Sequence, residues 1–142
     1  LDLLENAGIA RARVLVIAID DPEAGLDLAR TVRERYPALK VVTRVRDMTQ
    51  LYRMKDLGVT AIERETFESS LKSARTALTV LGVEPYEARS IAEAFRRQNM
   101  ITLNAMLPHF RDEAKTVAIV KSGREELEEN LRRDREARQQ AG

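Results

Sequence analysis

Side chains that could carry out covalent chemistry are scarce in this sequence. It has no cysteine and a single histidine, His109, which follows Pro108 and has no obvious carboxylate partner. A general base needs a held geometry and a group that orients it, so we interpret His109 as a structural or surface residue. The six glycines are too dispersed to form a phosphate-binding loop, and no spacing of histidines and carboxylates indicates a metal site. The sequence therefore predicts neither a catalytic residue nor a bound metal, which argues against a self-contained enzyme.

Two aspartates follow the first apolar run of the chain. Asp20 and Asp21 come directly after the residues 14–19, and Pro22 comes next. Ligands of open α/β sheets bind beyond the carboxyl ends of the strands, so contact with the ribose or adenine of a nucleotide is one interpretation. The alternative is a turn and a helix cap, because Asp is a favoured N-cap and Pro a favoured first helical residue.

A pair of arginines ends the second apolar run. Alternation places Arg44 and Arg46 on one face of a strand, where a guanidinium can bind phosphate or carboxylate in a forked geometry. A solvated edge, or an ion pair to Asp20 or Asp21, is the alternative. Asp47 has Gln50 three positions later and is predicted to cap the helix that follows.

Two further polar residues stand where an anionic or peptide-like ligand could be bound. Arg64 lies near the end of the third predicted strand, where helix-start amides also favour anions. Its alternative partners are the neighbouring carboxylates of Glu63, Glu65 and Glu68. Asn99 falls on an otherwise apolar helical stripe, so its amide needs a partner when buried. An interhelical hydrogen bond would satisfy it equally well.

These residues depend on an alternating arrangement of strands and helices. Three short apolar segments predict strands, and helical periodicity fills the two intervals between them. The order strand, helix, strand, helix, strand with short connections predicts a parallel sheet, which is half of a doubly wound α/β fold. The first run is continuously apolar, which predicts a strand buried on both faces. The three predicted strands are Val14–Ile19, Val41–Val45 and Val59–Ile62.

The remainder of the chain is predicted to be helical. One apolar stripe begins at Phe67 and ends before Gly82, and a second helix opens at Pro85 and breaks at Pro108. A charged helical tail follows, in which Ser122 and Glu125 could cap a fresh helix. We therefore predict three parts: residues 1–83 with the sheet and a crossover helix, residues 84–109 as a segment for dimerisation and ligand contact, and residues 110–142 as the tail.

Composition narrows the classes of function. The chain has 142 residues, 24 Lys and Arg, 23 Asp and Glu, and a net charge of +1. A nucleic-acid-binding protein usually carries a clearer basic excess, so no nucleic-acid partner is expected. The longest apolar run, Val14–Ile19, is far shorter than the roughly 20 residues of a membrane span.

Six short motifs together resemble one family. The chain is similar to the cytoplasmic RCK, or KTN, regulatory domains of the bacterial glutathione-gated potassium efflux systems, the Kef proteins, over residues 1–107. In chain order the motifs are Leu1-Asp2-Leu3-Leu4-Glu5 with Ala7-Gly8, Ala18-Ile19-Asp20-Asp21-Pro22, Arg44-Xaa-Arg46-Asp47, Glu63-Arg64-Glu65-Thr66-Phe67-Glu68, Pro85-Tyr86-Glu87-Ala88-Arg89 and Phe95-Arg96-Arg97-Xaa-Asn99.

The resemblance implies two ligands. AMP or NAD(H) would be a structural nucleotide in the cleft of a Rossmann-like fold, with Asp20, Asp21 and Arg44 as its candidate contacts. Glutathione would hold a potassium/proton antiporter shut, and glutathione S-conjugates would open it. The glutathione residues of the family correspond to Arg64, Asn99 and Asp47, with no catalytic residue among them.

The resemblance also implies partners and a location. The domain would form a homodimer through its crossover helices and would act on the membrane antiporter domain of the same polypeptide. An ancillary flavin oxidoreductase subunit docks on such domains in this family. The domain would lie on the cytoplasmic side of the bacterial inner membrane.

The sequence departs from the family pattern at its beginning. The first strand and the glycine-rich nucleotide loop of the family are absent, so we expect the chain to start within the helix that joins the two Rossmann halves. Two alternatives remain. One is a generic RCK nucleotide sensor without a glutathione response, and the other is half of a dinucleotide-dependent oxidoreductase, for which His109 is badly placed.

Overall fold

A computed structural model of the chain describes residues 2–141. The chain packs as two compact units, one up to Glu68 and one from Ser69 onward. Along the chain the elements are α1 (Asp2–Asn6), a 3-10 turn (Ile9–Arg11), β1 (Val14–Ile17), α2 (Pro22–Arg35), β2 (Lys40–Val45), α3 (Met48–Asp56), β3 (Ala61–Arg64), α4 (Phe67–Val80), α5 (Pro85–Met106), a second 3-10 turn (Leu107–His109) and α6 (Glu113–Ala141).

The first unit contains a three-stranded, wholly parallel sheet in the order β1-β2-β3. Ile17 pairs with Thr43, and Thr43 pairs with Ile62, so all three strands reach their carboxyl ends at one edge. This arrangement confirms the predicted α/β fold class. We call this edge the carboxyl edge and the opposite one the amino edge.

One face of the sheet forms the core of this unit. Ile17, Thr43 and Val45 are buried on it. Helix α2 packs closely there, because a Cβ atom added at Gly25 would lie 3.8 Å from the side chains of both Ile17 and Met54 of α3. The other face is exposed at β1. Val14 is 49% exposed and Val16 is 65% exposed. The prediction that the first strand is buried on both faces is therefore wrong for this chain.

Two strand boundaries also differ from the sequence prediction. β1 ends at Ile17 rather than Ile19, where the carbonyl of Ala18 instead accepts a hydrogen bond from Arg44 (3.4 Å). β3 begins at Ala61 rather than Val59, because the amide of Val59 donates to the carbonyl of Met54 and closes the end of α3. Gly58 makes that closure with a φ of 74°, which a glycine adopts without strain.

The second unit pairs α5 with α6. Gln98 donates to Glu126 (2.9 Å), and Arg138 donates to Ser90 (3.1 Å), so the two helices run antiparallel. α6 is continuous from Glu113 to Ala141, and no new helix begins at Ser122 as the sequence had suggested. Because Gly123 has no side chain, α6 can approach α5 closely at Thr102.

An ion pair joins α2 to α3 and leads to a test by pH. Both guanidinium nitrogens of Arg53 donate to the carboxylate of Glu23, and this hydrogen bond lowers the pKa of Glu23 below its ordinary value of 4.5. A carboxyl with a lowered folded-state pKa contributes stability above its unfolded pKa and loses that contribution as pH falls through the folded value.

We therefore expect Glu23→Gln to lower the melting temperature by roughly 2 °C at pH 7. The difference from the unsubstituted chain should begin to narrow as the pH falls below about 4.5, and it should close as the pH falls through the lower pKa of folded Glu23. Thermal unfolding followed by circular dichroism from pH 3 to pH 7 measures it, with Glu34→Gln on the same helix as the control. An equal difference at both ends of this range would contradict the assignment.

Candidate functional site

Four charged side chains from three strand ends meet at the carboxyl edge. Asp20 follows β1, Arg44 and Arg46 lie at the end of β2, and Glu65 follows β3. Because the strands are parallel and in register, residues 19 to 26 positions apart in sequence become neighbours. We call these four residues the carboxyl-edge cluster.

The cluster is a closed network of ion pairs. Oδ1 of Asp20 accepts hydrogen bonds from Nη2 of Arg44 (2.8 Å) and from Nη2 of Arg46 (3.0 Å). Oε2 of Glu65 accepts a hydrogen bond from Nε of Arg46 (3.1 Å) and lies 3.5 Å from Nε of Arg44. The ion pair to Asp20, which the sequence left as an alternative for these arginines, is thus present in the structure.

The charges of the cluster balance one another. Its two guanidiniums are balanced by two carboxylates, and the hydrogen bond and charge of Glu65, followed by the charge of Asp20, raise the pKa of Arg46. The carboxylate of Asp20 is 77% exposed, whereas that of Glu65 is 31% exposed. A phosphate could displace Asp20 from the arginines, and the released carboxylate could accept hydrogen bonds from sugar hydroxyls.

Asp21 and Asp47 both cap helices. Oδ1 of Asp21 accepts from the amides of Glu23 (2.9 Å) and Ala24 (3.2 Å) at the start of α2. Oδ1 of Asp47 accepts from the amide of Gln50 (2.8 Å) at the start of α3. Capping holds each carboxylate beside the carboxyl edge, next in sequence to a member of the cluster.

Arg64 occupies a less polar setting at the end of β3. Its guanidinium carbon lies 4.1 Å from the centre of the Phe67 ring, a cation–π contact that orients the side chain. Partial burial lowers the pKa of Arg64, and the charges of Glu68 and Tyr52 oppose that shift. A partly desolvated guanidinium stacked on an aromatic ring suits recognition of a carboxylate.

Asn99 lies in the second unit, on α5. Its side chain is half-buried, while the neighbouring Gln98 is buried and hydrogen-bonded to Glu126 and Phe95, one turn earlier, is 41% exposed. The structure thus brings together Asp20, Arg44 and, through their caps, Asp21 and Asp47 at one edge. Arg64 follows on β3, and Asn99 belongs to the other unit.

Two members of these arrangements were not singled out as functional by the sequence. The sequence indicates Glu65 only as a partner for Arg64, and it indicates no role for Gln98. The signal for Glu65 was the meeting of parallel strand ends, which places the residue after β3 beside the residues that end β2. Periodicity alone carried no signal for Gln98.

Neither a metal site nor a membrane span is found among the residues that the structure describes. Within residues 2–141 no three His, Asp or Glu side chains lie close enough to hold an ion. No helix in the same range combines the length and the low charge that crossing a bilayer requires.

Comparison with known proteins places this fold in a class. Residues 1–65 match the TrkA-N domain, the Rossmann-like half of RCK regulatory domains, and residues 69–142 match the potassium efflux system KefB C-terminal domain. The two matches meet where the chain divides into its two compact units. A Rossmann-like RCK-type regulatory domain, rather than an enzyme, is the class that the fold and these matches define.

The chain belongs to the family of Kef potassium efflux C-terminal domains. It is 43% identical over 136 residues to the glutathione-regulated potassium-efflux system proteins KefC of Escherichia coli and of Shigella boydii. That alignment covers 96% of this chain but only 22% of each relative's length. A solved structure, the Kef C-terminal domain of Shewanella denitrificans in its AMP-bound form, matches with a TM-score of 0.72 and 37% identity, over 75% of this chain and 67% of that one.

Proposed function

We propose that this chain is the ligand-sensing part of a regulatory domain that gates a potassium/proton antiporter. In this proposal glutathione keeps the antiporter closed, and glutathione S-conjugates open it. The observation that carries the proposal is the 43% identity, over almost the whole chain, to proteins named as glutathione-regulated potassium-efflux systems. The antiporter, its substrate ions and its regulation all belong to the larger protein and are part of the proposal.

The nucleotide half of the proposal rests on the carboxyl-edge cluster. AMP or NAD(H) would place a phosphate against Arg44 and sugar hydroxyls against Asp20, with Asp21 beside them. The AMP-bound state of the Shewanella denitrificans domain supports an adenine nucleotide as a ligand of the domain. The forked geometry of two guanidiniums within 3.0 Å of one carboxylate oxygen supports anion recognition by the same groups.

The glutathione half rests on three residues from the resemblance. Arg64 would bind a glutathione carboxylate, Asn99 would hydrogen-bond a peptide amide, and Asp47 would contact the ligand less directly. The stacking of Arg64 on Phe67 supports its role, because a guanidinium that is already oriented loses less entropy on binding. Glutathione carries two carboxylates and two peptide bonds, which match this set of donors and acceptors.

Gating would work through subunit packing. We propose that the domain forms a homodimer through its helices, on the cytoplasmic side of the bacterial inner membrane, and acts on the antiporter domain of the same polypeptide. Ligands that favour different packings of the two subunits would then shift the antiporter between closed and open states. An ancillary flavin oxidoreductase subunit would be a further partner.

The proposal is tested by titration calorimetry with AMP, glutathione and a bulky S-conjugate of glutathione. The protein for this experiment is a chimera in which this chain replaces the matched part of the Shewanella denitrificans domain. Binding of all three ligands, with glutathione and its conjugate competing for one site, is the expected result. Binding of AMP without either glutathione or its S-conjugate would support the second candidate, a nucleotide sensor without a glutathione response, which the AMP-bound structural relative favours.

The cluster predicts opposite changes in AMP affinity when an arginine and when the carboxylate of Glu65 is replaced. Arg44→Gln should weaken AMP binding about tenfold, because a charge-assisted hydrogen bond is lost. Glu65→Gln should strengthen AMP binding about threefold, because Glu65, whose Oε2 lies 3.5 Å from Nε of Arg44, no longer competes with the phosphate for that arginine.

Calorimetry on the chimera measures both changes, and Glu34→Gln on α2 provides the same change of charge away from the cluster. If Glu65→Gln weakened AMP binding as strongly as Arg44→Gln, the carboxylate would be orienting the arginine rather than competing for it. That outcome would overturn the competition between Glu65 and phosphate proposed for this edge.

A further inference from the structure

The amino edge of the sheet carries a second cleft, at the opposite end of the strands from the carboxyl-edge cluster. Its volume is about 410 Å³, and it lies between the segment before β1 and the turn between α2 and β2. That volume is within the range that accommodates small ligands. β2 has six residues, so roughly 20 Å separates the two edges of the sheet.

The floor of this cleft is apolar and firmly held. Ile9 and Leu39 line it and are only 5% and 6% exposed, so they are anchored in the core of the unit. The amide of Leu39 donates to the carbonyl of Tyr36 (2.9 Å), and Arg33 donates to the carbonyl of Pro37 (3.0 Å). These bonds fix the turn that forms one wall, so the cleft is built before any ligand arrives.

The charges of the cleft are of one sign. Arg13 and Lys40 line it, and no aspartate or glutamate does. Within residues 2–141 neither cation makes an ion pair or a side-chain hydrogen bond, whereas both arginines of the carboxyl-edge cluster are paired. The residue after Arg13, Val14, pairs in register with Lys40, so the two cations stand on adjacent strand starts. They provide a positive end to an otherwise apolar recess.

We propose that this cleft binds a small anion with an apolar body, such as a carboxylate or phosphate that carries a short alkyl chain. The apolar body packs against Ile9 and Leu39, and the anionic group is bound by Arg13 and Lys40. Because the cleft lies at the edge opposite the proposed nucleotide contacts, this ligand binds alongside AMP and does not compete with it. The soluble anion and the headgroup of an acidic lipid offer the same chemistry.

The proposal is tested by titrating the 142-residue chain with octanoate and with octylamine, which share an alkyl chain and differ in charge. Binding is followed by the chemical shifts of the backbone amides. Octanoate should shift the amides of Ile9 and Leu39, and octylamine should not. Arg13→Gln and Lys40→Gln should each weaken octanoate binding roughly fivefold. Lys55→Gln, which removes a charge from α3 outside the cleft, should leave it unchanged.

A steric variant separates binding from net charge. Ala38 lines the cleft in an exposed turn, so Ala38→Phe should fill the recess and weaken octanoate binding while both cations remain. Equal binding of octylamine, or equal affinity of the Arg13, Lys40 and Lys55 variants, would overturn the proposal. A titration with dioctanoylphosphatidylglycerol then identifies the source of the ligand. If this short lipid binds more tightly than octanoate, the cleft binds a lipid headgroup; if it binds more weakly, the cleft binds a soluble anion.

Discussion

Replacement of Arg64 by glutamine is expected to lower the affinity for glutathione at least about tenfold in the chimeric domain. The guanidinium is partly buried and stacked on Phe67, so its bond to a ligand carboxylate is screened by water less than a surface ion pair would be. Glutamine keeps much of the length and the packing on Phe67 but loses the charge. The affinity for AMP should stay within a factor of about two, since Arg64 is outside the carboxyl-edge cluster.

Two further variants sharpen this result. Arg64→Lys keeps the charge and loses the forked donor geometry, so it should recover only part of the affinity. Arg89→Gln, an exposed change of the same charge on α5, should leave glutathione binding unaltered. Calorimetric affinity for glutathione within twofold of the unsubstituted value in Arg64→Gln would remove Arg64 from the proposed site, while leaving the proposal of a nucleotide sensor intact.

Gly123→Ala is expected to destabilise the pairing of α5 with α6, although alanine is the better helix former. A Cβ at this position would lie 2.2 Å from Oγ1 of Thr102 and 3.3 Å from two further atoms of the same side chain. To relieve this contact, Thr102 must leave its present rotamer or the two helices must separate. Overpacking of this kind costs about 1–3 kcal/mol, which exceeds the gain of up to about 1 kcal/mol from replacing a helical glycine.

The expected outcome is a melting temperature lowered by about 3–6 °C. Because the clash is with the side chain of Thr102, the double variant Gly123→Ala with Thr102→Ala should regain most of this loss. Thermal denaturation followed by circular dichroism compares the two single variants with the double variant. A Gly123→Ala chain at least as stable as the original would show that the helices do not need the close approach.

Local signals predicted most of the secondary structure. The Asp21-Pro22 pair and Asp47 with Gln50 begin α2 and α3 as expected, since their side chains satisfy amides that the first turn leaves open. Gly82 ends α4 with a φ of 92°, at the position where the apolar stripe stopped. These features depend on residues only a few positions apart, so the local sequence pattern was enough to predict them.

The differences arose where distant groups compete for the same backbone. Val59 has the β-branched character of a strand residue, yet its amide completes the end of α3 and the residue is buried beneath it. β1 ends before Ala18, whose carbonyl accepts a hydrogen bond from the guanidinium of Arg44 rather than from the amide of a neighbouring strand. Propensity is a weak prior when such contacts are available. The three-part division at residues 83 and 109 stays a prediction beside the two compact units observed.

The sequence by itself determined the α/β class, the helix caps and the family to which the chain belongs, because all of these depend on residue types at short, fixed spacings. Only the tertiary structure decided which charges pair. The sequence offered Asp20 or Asp21 as partners for Arg44 and Arg46, and the register of the parallel strands selected Asp20 and brought in Glu65. Likewise Gly123 meets Thr102, and Gln98 meets Glu126, because antiparallel packing brings together residues that are 21 to 28 positions apart, beyond the range of any local pattern.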